Sequence, residues 1–346
     1  MTDNFFPPAL TPLFDIFTGP VKMAVMQAAL ELSIADILTE AMDAEAMARA
    51  LNIDADPAGL AYFLDSMAAV GFVTKICGQY RNTDFADTYF RSESPLYMGP
   101  FIARMTAMQH KNLSRIVQLV TTGPPALAEK ETLETETRWE KAAADLAVYQ
   151  QTGAAQVAAD LARSLPEFEK ARKLLDLGGG PGLIGATIVK QHPTMAGVLL
   201  DLPAIIRQAE KHIRKFGMAD RISFISGDYN EADLGRGYDL VWVSHNLYYA
   251  KEKPVFFNRL KAAMTDGGVL LCVHEGLTHE RTQPAPIVLS RLSLALEGQD
   301  VSFNKGELAD HFRRAGFATV ESRPLNFGIG QSELVIARKG KGGAQQ

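Results

Sequence analysis

Cysteine is nearly absent: only Cys77 and Cys272 occur in 346 residues, both in apolar or strand-like surroundings. Two such residues do not make a disulfide framework, so a reducing compartment, the cytoplasm, is expected. No apolar run approaches the roughly 18 residues that a membrane span needs. No N-terminal segment joins a basic start to an apolar centre. Neither secretion nor a membrane partner is therefore expected. Positive charge is not in excess; the net charge of −5 gives no general attraction to nucleic acid or anionic lipid. No His/Cys/Asp cluster has metal-ligand spacing, so no metal is expected, and no internal repeat is present. What the chain does have is 47% hydrophobic residues, enough for a packed core and, at this length, for two domains. Residues 339–346 are polar and glycine-rich, an end expected to fray.

The most informative stretch is Leu174-Leu175-Asp176-Leu177-Gly178-Gly179-Gly180-Pro181-Gly182. An apolar run ends in an acid, breaks into glycines and passes into a helix pattern through Leu183, Ile184, Ala186, Ile188 and Val189. Strand, glycine turn and helix open a nucleotide-binding βαβ unit, in which glycines admit a ligand close to the backbone and the helix N-terminus offers free N–H groups. Two cofactors fit this fragment. Gly180, Gly182 and Gly185 satisfy G-x-G-x-x-G, and Asp201, ending the run Val198-Leu199-Leu200-Asp201, stands where an acid holds the ribose of NAD. Alternatively, Asp176 with Gly178, Gly180 and Gly182 resembles the D-x-G-x-G-x-G motif of class I S-adenosylmethionine (SAM) methyltransferases. That resemblance puts the loop against the amino-acid end of the cofactor and Asp201-Leu202 beside the ribose.

The following segments favour SAM. Residues 222–229 form a third strand ending in Gly227-Asp228-Tyr229. In SAM enzymes an acid here accepts from the adenine amino group, and the next side chain packs on the ring. Strand four spans 238–244 and ends in Ser244, a helix spans 255–264, and strand five spans 269–273. A helix over 307–315 then precedes two closing strands, 318–322 and 333–337. No helix separates these two, which suits an antiparallel sheet end and not a second mononucleotide half.

The first hundred residues read as helices over 22–31, 34–38, 44–51 and 57–70, with Asp54 and Asp56 before Pro57 as capping-type residues. A hairpin over 72–82 follows, completing a winged-helix pattern. The would-be recognition helix carries no Lys or Arg, so it lacks the cations that DNA phosphates require and belongs to a core or an interface.

With these pieces in place the chain resembles the plant- and bacterial-type small-molecule O-methyltransferase family over nearly its full length. Glu31-Leu32-Ser33-Ile34, the segment from Leu64 to Phe72, the glycine motif, Asp201-Leu202-Pro203, Gly227-Asp228 and Gly267-Gly268 match in order and spacing. The resemblance implies an α/β fold: a Rossmann-like, seven-stranded methyltransferase sheet behind an N-terminal, mostly helical winged-helix dimerisation domain. The expected division is 1–100 for dimerisation, 101–165 for connecting helices that line the substrate pocket, and 166–340 for SAM binding. It also implies a homodimer that exchanges N-terminal helices, which accounts for the apolar Phe5, Phe6, Leu10, Leu13, Phe14, Ile16 and Phe17.

The catalytic positions depart from the family. Where it carries L-H-D-W, with His as general base, this chain has Leu247-Tyr248-Tyr249-Ala250. Where it carries a later Glu, this chain has Val301, with Asp300 adjacent. The L-Y-x-A string resembles the bacteriochlorophyllide C-20 methyltransferases, which methylate carbon. A tyrosine with a pKa near 10 is only ~0.1% ionised at pH 7, a poor base unless perturbed. Tyr248 is therefore a base, an orienting hydrogen-bond group or pocket wall. Further candidates are His245 on strand four, His274 and Glu275 at the end of strand five, and His110 in a helix pattern with Arg104, Met105 and Met108. His192 before Pro193 reads as a helix-end residue, and the charged run 129–141 as a solvated segment. The expected activity is SAM-dependent methyl transfer to an oxygen or carbon of a small, ring-bearing molecule. Three readings compete with it: a SAM-fold protein that has lost methyl transfer, an NAD-binding oxidoreductase, and a winged-helix regulator.

Overall fold

The computed structural model describes residues 10–52, 57–124, 136–327 and 330–341. Phe5, Phe6, Asp54, Asp56 and residues 129–135 of the charged run lie outside them. The chain divides into two compact units, residues 1–103 and 104–346.

In the first unit, α1 (Thr11–Glu31), α2 (Ile34–Ile37), α3 (Ala44–Leu51) and α4 (Pro57–Ala69) precede a hairpin of β1 (Val73–Ile76) and β2 (Gln79–Asn82), then α5 (Asp84–Tyr89). Helix α1 begins eleven residues before the expected 22 and continues through Gly19 and Pro20. Helix α3 starts where Asp43 accepts the Ala46 N–H at 2.8 Å, and Thr83 caps α5 in the same way. The core is Val25, Ile34, Leu38, Met47, Leu64, Met67 and Tyr80. The buried Asn82 side chain donates from Nδ2 to the Ala35 carbonyl at 2.8 Å and to Asp87 Oδ1 at 2.9 Å. The first half of α1 is different: Ile16 and Phe17 are 66% and 67% exposed. Contrary to the expectation that no segment reaches spanning length, Pro12–Glu31 is long and apolar enough to cross a membrane by length and composition. The continuation of the helix through Pro20 is what gives it that length.

The division between the units falls within α6 (Gly99–His110). In the second unit come α7 (Ile116–Thr122), α8 (Glu136–Tyr149) and, after a π-turn over Gln150–Ala154, α9 (Ala155–Arg163). The βα units follow: β3 (Lys173–Leu177), α10 (Leu183–Lys190), β4 (Ala196–Asp201), α11 (Pro203–Lys215), β5 (Ile222–Ser226), β6 (Tyr238–Ser244), α12 (Lys253–Ala263) and β7 (Met264–His274). Short β8 (Gly276–Leu277) and β9 (Phe303–Asn304) pair with each other around α13 (Ala285–Leu296). The chain closes with α14 (Glu307–Arg314), β10 (Thr319–Phe327) and β11 (Gly330–Arg338).

Seven strands form one sheet in the order β10-β11-β7-β6-β3-β4-β5. Strands β3 to β7 are parallel, and β11 and β10 complete the sheet antiparallel, as the missing helix between them implied. Both sheet faces are covered, which is why the parallel strands read as continuous apolar runs. Leu174, Leu199 and Trp242 pack with α9, α10 and α11, whereas Leu175, Leu200 and Val243 pack with α12 and α14.

Candidate active site

Strands β3, β4, β5 and β6 end at Leu177, Asp201, Ser226 and Ser244, side by side at one edge. Loops leaving the carboxyl ends of parallel strands form the crevice in which open α/β sheets bind ligands. The loop after β3 turns through Gly178 at φ +62° and Gly180 at φ +60°, left-handed values that cost an L side chain roughly 1–2 kcal/mol. A Cβ on Gly178 would lie 2.1 Å from Asn246 Nδ2, so this glycine is required by close packing on the end of β6. A Cβ on Gly180 would meet nothing within 4 Å; its backbone faces open space. Gly182 is the N-cap of α10.

Two carboxylates lie beneath this loop. Asp176 is buried, and its Oδ2 accepts the Gly185 N–H at 3.0 Å. A Cβ on Gly179 or Gly185 would approach that carboxylate to 2.5 Å, so the loop can close over Asp176 only with glycine at both places. Burial pushes the Asp176 carboxyl up to about 7, and the nearby Asp201 adds to the shift. Asp201 accepts the Gly180 N–H on Oδ2 and the Leu202 N–H on Oδ1, each at 2.8 Å. Burial raises it to about 6 against the pull of those two bonds.

Contrary to expectation, the N–H groups of the first turn of α10 are not free. Gln150, in the π-turn before α9, accepts Leu183 N–H at 3.0 Å and Ile184 N–H at 3.3 Å on its Oε1 and donates to the Gly179 carbonyl at 3.3 Å. With Gly185 given to Asp176, three amides of that turn are already satisfied from within the protein. A pyrophosphate needs these donors and no carboxylate beneath them. The donor set suits a cofactor without phosphates and disfavours a dinucleotide.

The other expected cofactor residues are placed as follows. The Gly227 N–H donates to the Asp201 carbonyl at 2.9 Å, which holds the ends of β4 and β5 together. Asp228 accepts the backbone and side-chain N–H groups of Asn230 on Oδ1, both at 2.8 Å, with Lys251 Nζ 3.9 Å from Oδ2. Leu202, which caps α11 just after β4, and Ser244, the last residue of β6, are half-buried. Tyr229 differs from expectation. It lies in the core against Phe256, with ring centroids 5.1 Å apart, and its hydroxyl donates to the Asn246 carbonyl at 2.8 Å. A ring committed to the core in this way is not offered to a ligand from above.

Beyond β6 the chain makes a 3-10 turn, Leu247–Tyr249. The half-buried Tyr248 donates its hydroxyl to the His245 carbonyl, and burial pushes that hydroxyl well above the ordinary tyrosine value, with Tyr249 adding to the shift. His274, at the end of β7, accepts the N–H groups of Asn246 and Leu247 on Nε2 at 3.0 and 2.9 Å, and its Nδ1 faces Cys272 Sγ at 3.4 Å. Both ring nitrogens are occupied, so His274 supports the turn and has no nitrogen left for a substrate. His245 lies one residue past the end of β6, not within it, at φ +51°. Its Nδ1 is 3.0 Å from Glu275 Oε1. Burial and then the Arg291 charge push its pKa down to about 3. Glu275 also binds Arg291, from α13.

His110 is exposed at the end of α6. His192 is buried and accepts the N–H groups of Thr194 and Met195 on Nδ1 at 3.2 and 2.9 Å. Val301 is buried, and Asp300 pairs with Arg281 at 2.6 Å. Among the described residues no group of His, Cys, Asp and Glu could hold a metal ion. Sequence reasoning missed Gln150 and Arg291. Arg291 carried a signal: it is the one cation in the apolar helix Ala285–Leu296.

Comparison with known proteins agrees with the geometry. The profile of the O-methyltransferase domain matches residues 134–318, and that of the O-methyltransferase dimerisation domain matches residues 14–92. The chain is 26% identical over 335 residues, 94% of each sequence, to a 3-hydroxy-5-methyl-1-naphthoate 3-O-methyltransferase of Streptomyces sahachiroi. It is 25% identical over 340 residues, 94% of this chain and 96% of the relative, to an N,N-dimethyltransferase of Streptomyces rimosus. Its fold is shared with human N-acetylserotonin methyltransferase solved with SAM, at a TM-score of 0.79 and 20% identity over 98% of this chain and 99% of that one.

Proposed function

The chain belongs to the O-methyltransferase family and is a SAM-dependent methyltransferase; we propose that its acceptor is a small ring-bearing molecule, methylated on a hydroxyl oxygen. The observation that carries this reading is the glycine loop, open at Gly180 yet filled at its helix N–H groups by Gln150 and Asp176. Gly178, Gly180 and Gly182 cradle the cofactor. Asp201 accepts from the ribose hydroxyls with the lone pairs that Gly180 and Leu202 leave over. Leu202, Gly227 and Ser244 line the site, and Asp228 accepts from the adenine amino group. Asp176 and Tyr229 act from beneath, one fixing the loop and the other the end of β6. When bound, the cofactor supplies an electrophilic methyl group; the protein's task is to align an acceptor with it and dispose of a proton.

Tyr248 orients the acceptor and does not take its proton, because burial holds its hydroxyl protonated. His245 is the proton-accepting group, and His274 holds the turn that presents Tyr248. The exposed apolar half of α1 forms a homodimer interface. The reading needs neither a nucleic-acid nor a membrane partner and places the enzyme in the cytoplasm. The naphthoate-methylating relative motivates a bicyclic phenol as first acceptor. The N,N-dimethyltransferase relative motivates an amine as the second.

Calorimetric titration with SAM and with NAD, followed by chromatography of S-adenosylhomocysteine formed with hydroxynaphthoates and with aryl amines, tests the proposal. SAM binding and turnover on the phenols are expected. NAD binding without SAM binding, or turnover on amines alone, would overturn it.

A further inference from the structure

Three residues from three elements converge behind Tyr248. His245 follows β6, Glu275 follows β7, and Arg291 lies in the middle of α13. Glu275 is buried; its Oε1 takes both His245 Nδ1 and an Arg291 guanidinium N–H, and its Oε2 has no hydrogen-bond partner among the described residues. The Arg291 guanidinium also lies 5.7 Å from the centre of the Tyr248 ring. The imidazole stacks on Phe327 at 5.9 Å and has His274 beside it at 5.7 Å. Its Nε2 makes no hydrogen bond among the described residues, and its side chain keeps 28% of its surface open. A buried carboxylate that shares one oxygen between an imidazole and a guanidinium and leaves the other unpaired is a costly arrangement. The left-handed backbone of His245 adds strain at the same point.

We propose that Glu275 and Arg291 are positioning residues that hold His245 as a neutral imidazole, protonated at Nδ1, with Nε2 bare toward the acceptor. This rests on the reading of the protein as a methyltransferase and extends it to the control of its proton acceptor. Glu275 selects the tautomer by accepting a hydrogen bond from Nδ1–H. Arg291 offsets the Glu275 charge, so the imidazole does not take up a second proton from solvent. Nε2 then accepts a hydrogen bond from the acceptor hydroxyl. As the oxygen uses a lone pair to bond the methyl group, the methyl–sulfur bond would break with its pair returning to sulfur, which leaves as S-adenosylhomocysteine; the O–H bond breaks, its pair stays on oxygen, and the proton bonds to Nε2. The imidazolium lies beside Glu275 until its proton passes to water. A weak base suffices, because a hydroxyl that has gained a methyl group is a far stronger acid than a phenol.

The groups facing His245 are His274 at the end of β7, Glu275 just after it, Arg291 from α13 and Tyr248 from the 3-10 turn. Burial, then His245 itself and Arg291, push the His274 pKa well down, which leaves Arg291 and Glu275 as the charges in control.

The test is histidine ring-nitrogen NMR on the full-length, cofactor-free protein, with the His245 signals assigned from His245→Gln. Wild type is expected to show His245 with Nδ1–H and bare Nε2 throughout pH 5–9. In Arg291→Gln the midpoint should rise into the pH 5–9 window, by about two pH units or more, and Arg291→Lys should restore the wild-type spectrum. In Glu275→Gln the single tautomer should give way to a mixture. An Nε2–H tautomer in wild type, or a midpoint unmoved by Arg291→Gln in a protein of unchanged circular dichroism, overturns the proposal whatever the turnover. Failure of turnover on every acceptor, with the expected spectra intact, overturns the methyltransferase reading instead.

Discussion

Gln150 Oε1 accepts the Leu183 N–H at 3.0 Å across 33 residues of sequence. The cofactor loop is therefore shaped from outside the βαβ unit that contains it. Substituting Gln150 by Ala leaves two buried amides without an acceptor, at about 1–3 kcal/mol each. Gln150→Ala should lower the denaturation midpoint and weaken SAM binding by about tenfold. Calorimetry and urea unfolding of the same preparation would check both. Unchanged affinity would show that Gln150 serves folding alone.

Asp201 links cofactor binding to pH. Its carboxyl, raised to about 6 by burial, is ionised and able to accept two ribose hydroxyls at pH 8 and largely protonated at pH 5. SAM affinity should fall by about tenfold between pH 7 and pH 5. Asp201→Ala should bind roughly tenfold or more weakly at pH 8, and its affinity should be nearly flat with pH. A pH series of titrations on both proteins decides the matter.

Asp176 affects stability with the opposite pH dependence to that of a salt-bridged acid. Its native pKa of about 7 lies above the ordinary 3.8, so the native state holds the proton more tightly than the unfolded chain does. The resulting stabilisation is complete below pH 4 and is lost as pH rises through 7. Relative to Asp176→Asn, wild type should lose on the order of 4 kcal/mol over that range. Chemical denaturation of the two proteins at pH 4.5 and pH 8 measures it, and a difference independent of pH would refute a buried, ionisable Asp176.

How much of this was legible in the sequence depends on the distance over which each feature is determined. Asp201 was legible because a strand end and a glycine turn place it within one βαβ unit. The antiparallel sheet end was legible from the missing helix before β11. Gln150 was not, because it reads as one polar residue in an alanine-rich helix and meets its partners only in the folded chain. The role of His274 was equally hidden: alternation places it at a strand end, but the turn that occupies its Nε2 arrives from β6. The expected start of α1 at 22 lies just after Gly19 and Pro20, which are local helix breakers, yet the helix runs through them.

Tyr248 should behave as an orienting group. Tyr248→Phe should reduce kcat by about ten- to a hundredfold, the equivalent of about 1.4–2.7 kcal/mol for one hydrogen bond near the reacting atom. The pH–rate profile should keep its shape, since the buried hydroxyl does not titrate in the working range. Disappearance of an ionisation in the variant would reassign Tyr248 as the base.

The apolar half of α1 should direct assembly. Full-length protein at micromolar concentration should scatter light as twice 37.7 kDa. Phe17→Glu, at a position 67% exposed in the isolated chain, should shift the equilibrium toward monomer. A wild-type monomer at that concentration would remove the dimer from the proposal.

The left-handed backbone at His245 also bears on how this enzyme can be altered. Glycine or asparagine occupies φ near +50° at less cost than histidine, so a handicap on the order of 1 kcal/mol is written into the centre of the site. A screen that rewards heat tolerance alone would tend to discard the histidine, and with the proposed role of His245 the hardened proteins it returned would be the inactive ones. Laboratory evolution on this scaffold therefore has to select for turnover and robustness together, because at position 245 the two pull the sequence in opposite directions.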